Sequence, residues 1–132
     1  MAIAQHTQVV ALALFNPQRE AYLIVKRGQD QSGAGKWEFP GGKIESHEGP
    51  KQALAREISE ELSLVFFDGD FEYVASNTHR YPNKTVDLHL YKIISVQDDI
   101  KLIDHDELAW VKVQDLLKYD LAEADIPFVS YL

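Results

Sequence analysis

A chain of 132 residues with 13 basic and 21 acidic side chains, net charge −8, is long enough for a core of its own but lacks the basic surface that binding a long nucleic acid requires. The absence of cysteine excludes disulfides, thiolate zinc sites and cysteine nucleophiles. A composition 45% hydrophobic and 26% charged is that of a soluble globular protein, and such an acidic chain can hold a small anionic substrate only where a cation supplies positive charge.

Residues 1–8 show no basic segment followed by a long apolar run, so no signal peptide is read there. The longest apolar stretch, 9–15, is too short to cross a bilayer, and a cytoplasmic location without membrane partners is the expectation. That same stretch predicts a buried strand, stopped by Asn16-Pro17. Residues 21–25 predict its hairpin partner, and 28–35 a polar, glycine-bearing loop. Trp37-Glu38-Phe39 is a short apolar piece, and Pro40-Gly41-Gly42 reads as an abrupt breaker. Residues 50–62 predict a helix, with proline in its first turn and no internal glycine. Further strands are expected at 71–76 and 86–94; in the latter, Val86, Leu88 and Leu90 alternate with Asp87, His89 and Tyr91. A last strand at 108–113, a short helix near 114–118 and a turn or two of helix within 122–132 complete the order. No repeat or linker interrupts it, so one domain over 1–132 is expected, an α+β fold in an α/β/α sandwich arrangement.

The helix carries the chemistry. Glu57, Glu60 and Glu61 stand at i, i+3 and i+4 and share one side. Leu54, Ile58 and Leu62 form the apolar stripe; Glu57 and Glu61 border it and Glu60 lies further round. Like charges at this spacing cost a bare helix a few tenths of a kcal/mol per pair, roughly, which makes sense if a cation sits among them. Hard divalent ions take oxygen ligands of this kind and share their shell with phosphates. Gly41-Gly42, just before the helix, permits a close backbone approach, and a carbonyl there is a candidate further oxygen ligand.

Gly42, five residues, Glu48, seven residues, then Arg56-Glu57-Ile58-Ser59-Glu60-Glu61-Leu62-Ser63-Leu64 resembles the Nudix box, G-x5-E-x7-R-E-U-x-E-E-x-G-U with U apolar, over residues 42–64. Its one departure is Ser63 in place of glycine, where the helix closes through a left-handed turn.

The resemblance implies a mixed β-sheet flanked by helices with a loop–helix–loop box. It also implies hydrolysis of a pyrophosphate linkage with Mg²⁺, or Mn²⁺ in its place. By likeness, Glu57, Glu60 and Glu61 would hold the metal with the Gly41 carbonyl, Arg56 would orient a box carboxylate, and Glu48 would support the site from behind. A loop acid before Trp110 is expected to act as base or extra ligand, Asp104 by its spacing, with Glu107 the alternative. The segment 36–45 and the tail 110–132 look like the MutT-type enzymes, which cleave nucleoside triphosphates, 8-oxo-dGTP among them. By that likeness Arg27 would reach the phosphates, Gly42 and Phe39 would line the substrate pocket, and Lys84 would sit at its mouth. Asp125 stands where the best-known 8-oxo-dGTP enzymes have asparagine. It would read the base or, alternatively, cap a tail helix that has Pro127 in its first turn.

By resemblance to other Nudix groups, Tyr81, close to where the diadenosine polyphosphate enzymes carry a tyrosine, and Pro82 leave dinucleoside polyphosphates, RNA 5′ ends and ADP-ribose open as substrates, and a nucleotide-sensing module without catalysis is the reading of another class. The five histidines show no metal-ligand spacing, and monomer and homodimer both stay open.

Overall fold

The computed structural model describes residues 6–31 and 33–132. The first five positions of the N-terminal segment and Ser32 of the 28–35 loop lie outside the described residues. Strand β1 (His6–Asn16) is the axis of a seven-stranded mixed sheet. Its alternate side chains supply two cores: Val10, Leu12 and Leu14 enter one, Ala11 and Ala13 the other. A strand covered on both faces needs apolar residues in succession, which is why 9–15 shows no alternation.

On one side β1 pairs in parallel with β6 (Thr85–Ile94) over its whole length, from His6↔Thr85 to Phe15↔Ile94. Strand β5 (Glu72–Arg80) continues that edge antiparallel to β6. On the other side, β1 meets β2 (Ala21–Arg27) only at Phe15↔Tyr22 and Asn16↔Ala21. Beyond that point β2 leaves β1 and pairs along that edge with β3 (Trp37–Glu38), while β7 (His105–Val111) pairs with its other edge from Tyr22 onward.

The gap is entered by β4 (Gly41–Lys43), paired antiparallel with Val9, Val10 and Ala11 of β1. The Pro40 carbonyl accepts the Leu12 N–H at 2.8 Å just before it. This corrects the reading of Pro40-Gly41-Gly42 as a breaker: Gly41 pairs with β1 as a strand, so closely that any side chain there would collide with the Val10 carbonyl. The sheet therefore splits between β2 and β1, and a cleft opens at the split.

One face is covered by α1 (Pro50–Leu62), starting and ending where the sequence predicts. The Gly49 N–H donates to the Gln52 side chain at 2.8 Å at its start. Leu54, Ile58 and Leu62 are fully buried, each contributing about 1.5–3 kcal/mol by leaving water. Ser63 closes the helix in the left-handed region (φ 59°), its N–H donating to Ser59 O at 3.1 Å.

The opposite face carries the short helical turns expected near 114–118 and within 122–132. The C-terminal segments Val113–Lys118 and Ile126–Tyr131 are 3-10 turns with i→i+3 bonds, such as Phe128 N–H to Asp125 O at 3.1 Å. Each is six residues long and one anchors Leu116, the other Phe128, both fully buried. Tyr91 departs from the alternating pattern: it is buried in the core beneath α1, whereas Asp87 and His89 on the same face lie where no helix covers the sheet. There they join Gln8, Ser76 and Thr78 in a polar network.

Candidate functional site

The cleft at the split has a volume of about 470 Å³, within the range of small-molecule sites. Box-derived glycines form one end of its lining and the C-terminal tail the other.

At the box end, helix periodicity sets Glu57 and Glu61 beside the apolar stripe. The Glu57 carboxylate packs against Gly42 so closely that a Cβ on Gly42 would collide with it. Glu61 accepts the Gly41 N–H at 3.3 Å. Burial, reinforced by the charges of Glu57, Glu38 and Asp104, pushes its acid up to about 9. Burial likewise raises Glu57, although its bond to Arg56 acts in the opposite direction. Glu60 is turned outward, its side chain 59% exposed.

Arg56 is the hub. Its guanidinium donates to both oxygens of Glu48, to Glu57 at 3.0 Å, to Glu60 at 3.3 Å and to the Lys43 carbonyl at 3.1 Å. The Arg56 bonds hold the Glu48 acid down to about 2. With Glu57 and Glu60 drawn to Arg56, no three acid or imidazole side chains among the described residues stand as a closed cation cage. The donor chemistry is nevertheless that of a hard divalent ion: carboxylate oxygens gathered around a glycine cradle, one of them raised by its burial and then by the like charges beside it.

The loop acids separate. The Lys101 and Ile103 N–H groups donate to the carbonyls of Leu62 and Glu61 at 3.0 and 3.2 Å, which staples the loop to the end of α1. Asp104 is thereby carried to where its charge raises Glu61. Glu107 lies on β7 and pairs with Lys26 at 3.3 Å, so the alternative of Glu107 as the loop acid is not supported.

At the tail end, Asp125 is 5% exposed and makes no capping bond; its carboxyl accepts the Phe39 N–H at 3.0 Å. The capping alternative therefore fails. Burial, then the charge of Glu38, pushes the Asp125 acid up to about 8. The tail reaches this place by running along β3: Trp37 N–H donates to Asp120 O, and Ala122 N–H to Trp37 O. From β5 and the turn after it, Asn77 holds the Ala124 carbonyl at 3.1 Å and the Tyr81 hydroxyl accepts the Ala124 N–H at 3.3 Å. Phe39, 2% exposed, belongs to the core and lines the cleft as well. Arg27, Gly42 and Lys84 also line it, with Lys84 exposed and its ammonium 5.9 Å from the Tyr81 ring. Lys36 and Lys43 add two more cations to the lining, so a chain of net charge −8 gathers basic groups here.

Sequence reasoning passed over Glu38 and His105. Glu38 lines the cleft, accepts from Arg27 at 3.1 and 3.3 Å and meets the His105 ring at 3.0 Å. The available signal was an acid set between two aromatics in a strand that otherwise reads as core.

A glutamate-edged helix and glycine strand at the mouth of a split mixed sheet define a Nudix site, and the NUDIX domain model matches residues 4–132. The chain belongs to the Nudix family and is a Nudix pyrophosphohydrolase. Among its relatives, the CTP pyrophosphohydrolase of Escherichia coli K12 is 36% identical over 108 residues, covering 82% of this chain and 78% of the relative. The putative 8-oxo-dGTP diphosphatase 2 of Mycobacterium tuberculosis H37Rv is 34% identical over 113 residues, covering 83% of this chain and 77% of the relative. The solution structure of the E. coli ORF135 protein superposes with a TM-score of 0.81 at 32% identity, covering 97% of this chain and 89% of that one. These hydrolase relatives leave the sensing reading without support. No described helix is long and apolar enough to cross a membrane.

Proposed function

We propose that residues 1–132 work as one catalytic unit that hydrolyses a nucleoside triphosphate to the monophosphate and pyrophosphate with Mg²⁺, Mn²⁺ serving in its place. The observation that carries this reading is the continuity of the cleft, from Gly41 and Gly42 against the box carboxylates to the buried Asp125.

Nudix hydrolases generally use a divalent metal. Glu57, Glu60, Glu61 and the Gly41 carbonyl would hold it. When bound there, a divalent ion would neutralise phosphate oxygens and acidify water. Arg56 and Glu48 keep the carboxylates in place, and Arg27 with Lys84 binds the phosphate chain. Asp104 accepts the proton of the attacking water. One phosphorus–oxygen bond of the anhydride breaks as the water oxygen bonds to phosphorus, and pyrophosphate leaves with the bridging oxygen.

Phe39 supports the base against Asp125. An acid raised to about 8 is neutral at physiological pH and offers one donor and one acceptor, whereas an ionised carboxylate only accepts. That pairing suits 8-oxo-dGTP, and cytosine equally, in keeping with the activities named for the two relatives. Tyr81 and Pro82 both border the cleft, so the second reading is cleavage of dinucleoside polyphosphates, RNA 5′ ends or ADP-ribose.

Incubation with Mg²⁺ and a panel of common and modified nucleotides, with separate detection of pyrophosphate and phosphate, tests the proposal. Pyrophosphate release, strongest for one base, is expected. Silence on every triphosphate with cleavage of a dinucleotide or of ADP-ribose would replace the substrate class.

A further inference from the structure

We propose that His105 is a positioning residue for substrate binding: its ring holds the Glu38 carboxylate, and Glu38 in turn aims Arg27 along the cleft. This rests on the reading that Arg27 meets the substrate phosphates.

The arrangement originates in a β-bulge. Along β2 and β7 the register runs Val25↔Leu108 and Lys26↔Glu107, then shifts so that Arg27 faces His105 and not Asp106. Glu38 stands opposite Val25 on the other flank of β2, two residues from Arg27 on the strand and so on the same face. The bulge thus gathers a histidine, a carboxylate and a guanidinium that unbroken pairing would have kept apart, a common use of bulges beside active sites.

The ring is an unusual choice if packing were its only task. The His105 side chain is 2% exposed, and its Nδ1 has no hydrogen-bond partner among the described residues. A buried nitrogen without a partner costs stability, and an apolar side chain of similar size would avoid that cost. The ring's Nε2 meets Glu38 at 3.0 Å. A carboxylate only accepts, so the hydrogen of this contact is on Nε2.

Glu38 receives this bond and two from Arg27, which occupy three of its about four lone-pair positions. When Arg27 engages phosphate, His105 keeps Glu38 from swinging toward the box carboxylates, and the guanidinium retains a fixed anchor on its other side. Since phosphate binding by Arg27 is common to ground and transition states, the effect falls on KM and not on kcat.

The experiment is a double-mutant cycle on steady-state cleavage of the preferred triphosphate. His105→Leu removes the donor at similar volume, and His105→Gln retains an amide N–H. His105→Leu is expected to raise KM about tenfold with kcat within about twofold, and His105→Gln to restore most of that loss. In an Arg27→Ala background, His105→Leu should add little. Unchanged KM in His105→Leu, or full additivity with Arg27→Ala, overturns the proposal.

Nitrogen-detected NMR of the folded wild-type protein gives a readout independent of turnover and of variant folding. The His105 ring should carry its hydrogen on Nε2, and an Nδ1-protonated ring overturns the assignment. If no triphosphate is cleaved, the proposed function fails by itself, while the tautomer and the Arg27 side-chain signals in His105→Gln still report on the linkage.

Discussion

The two ends of the cleft are built by different means. At the box end one helix does nearly everything: Glu57, Glu60 and Glu61 follow from helical spacing, and Arg56 reaches Glu48 within the same loop–helix unit. At the base end nothing is local. Asp125 meets Phe39 across 86 positions of sequence, carried there by a tail laid along β3 and held from β5 by Asn77. Spacing alone can define the charged end; the end proposed to read the base exists only after the whole sheet has assembled. One fold can therefore keep its phosphate chemistry while its base pocket changes.

The sharpest way to break that contrast is to remove a carboxylate at each end. Glu61→Gln should lower kcat about a hundredfold or more with little change in base preference, through loss of a carboxylate that would hold the metal. Asp125→Ala should spare most of kcat for a poor substrate yet raise KM for the preferred base about tenfold, read as the ratio of kcat/KM between two nucleotides. Exchange of the two phenotypes would refute the division of labour. Arg56→Gln is expected to cost about 10–100-fold in metal affinity or activity, because it frees Glu48, Glu57 and Glu60 together.

pH separates the ends without mutation. Asp125 and Glu61 bind protons in the folded chain that the unfolded chain releases near pH 4, their acids being raised to about 8 and about 9 by burial first of all. The folded state thus binds more protons, and metal-free stability should fall as pH rises from about 4 through 8 and 9. Asp125→Asn should flatten the part of that slope below pH 8, and Mg²⁺ should offset the part due to Glu61; a metal-free melting temperature that rises over this window would contradict both. The smallest effect is expected at Ser63, where glycine would relieve a left-handed backbone (φ 59°) and add about 1 kcal/mol of stability in denaturant unfolding without changing kcat.

What the sequence revealed follows the same division. The bounds of α1, its buried stripe and the grouping of Glu57 with Glu61 were legible because 3.6-residue periodicity is local. The left-handed turn at Ser63 was legible from the missing glycine. Three things were not. The glycine pair forms strand β4 because absent side chains let it pair closely with β1, a contact 30 positions away in Ala11↔Gly41. Asp125 spends its side chain on Phe39 and not on a cap, and His105 with Glu38 depends on a register shift between β2 and β7. No pattern within one strand encodes either.

The most direct test of the account is a crystal structure with Mn²⁺ and a non-hydrolysable analogue of the preferred triphosphate. The account predicts anomalous density within coordination distance of Glu57, Glu61 and the Gly41 carbonyl, phosphates reaching Arg27, and the base edge on the Asp125 carboxyl. A metal bound away from the box carboxylates, or a nucleotide whose base lies outside the cleft between Phe39 and Asp125, would contradict it.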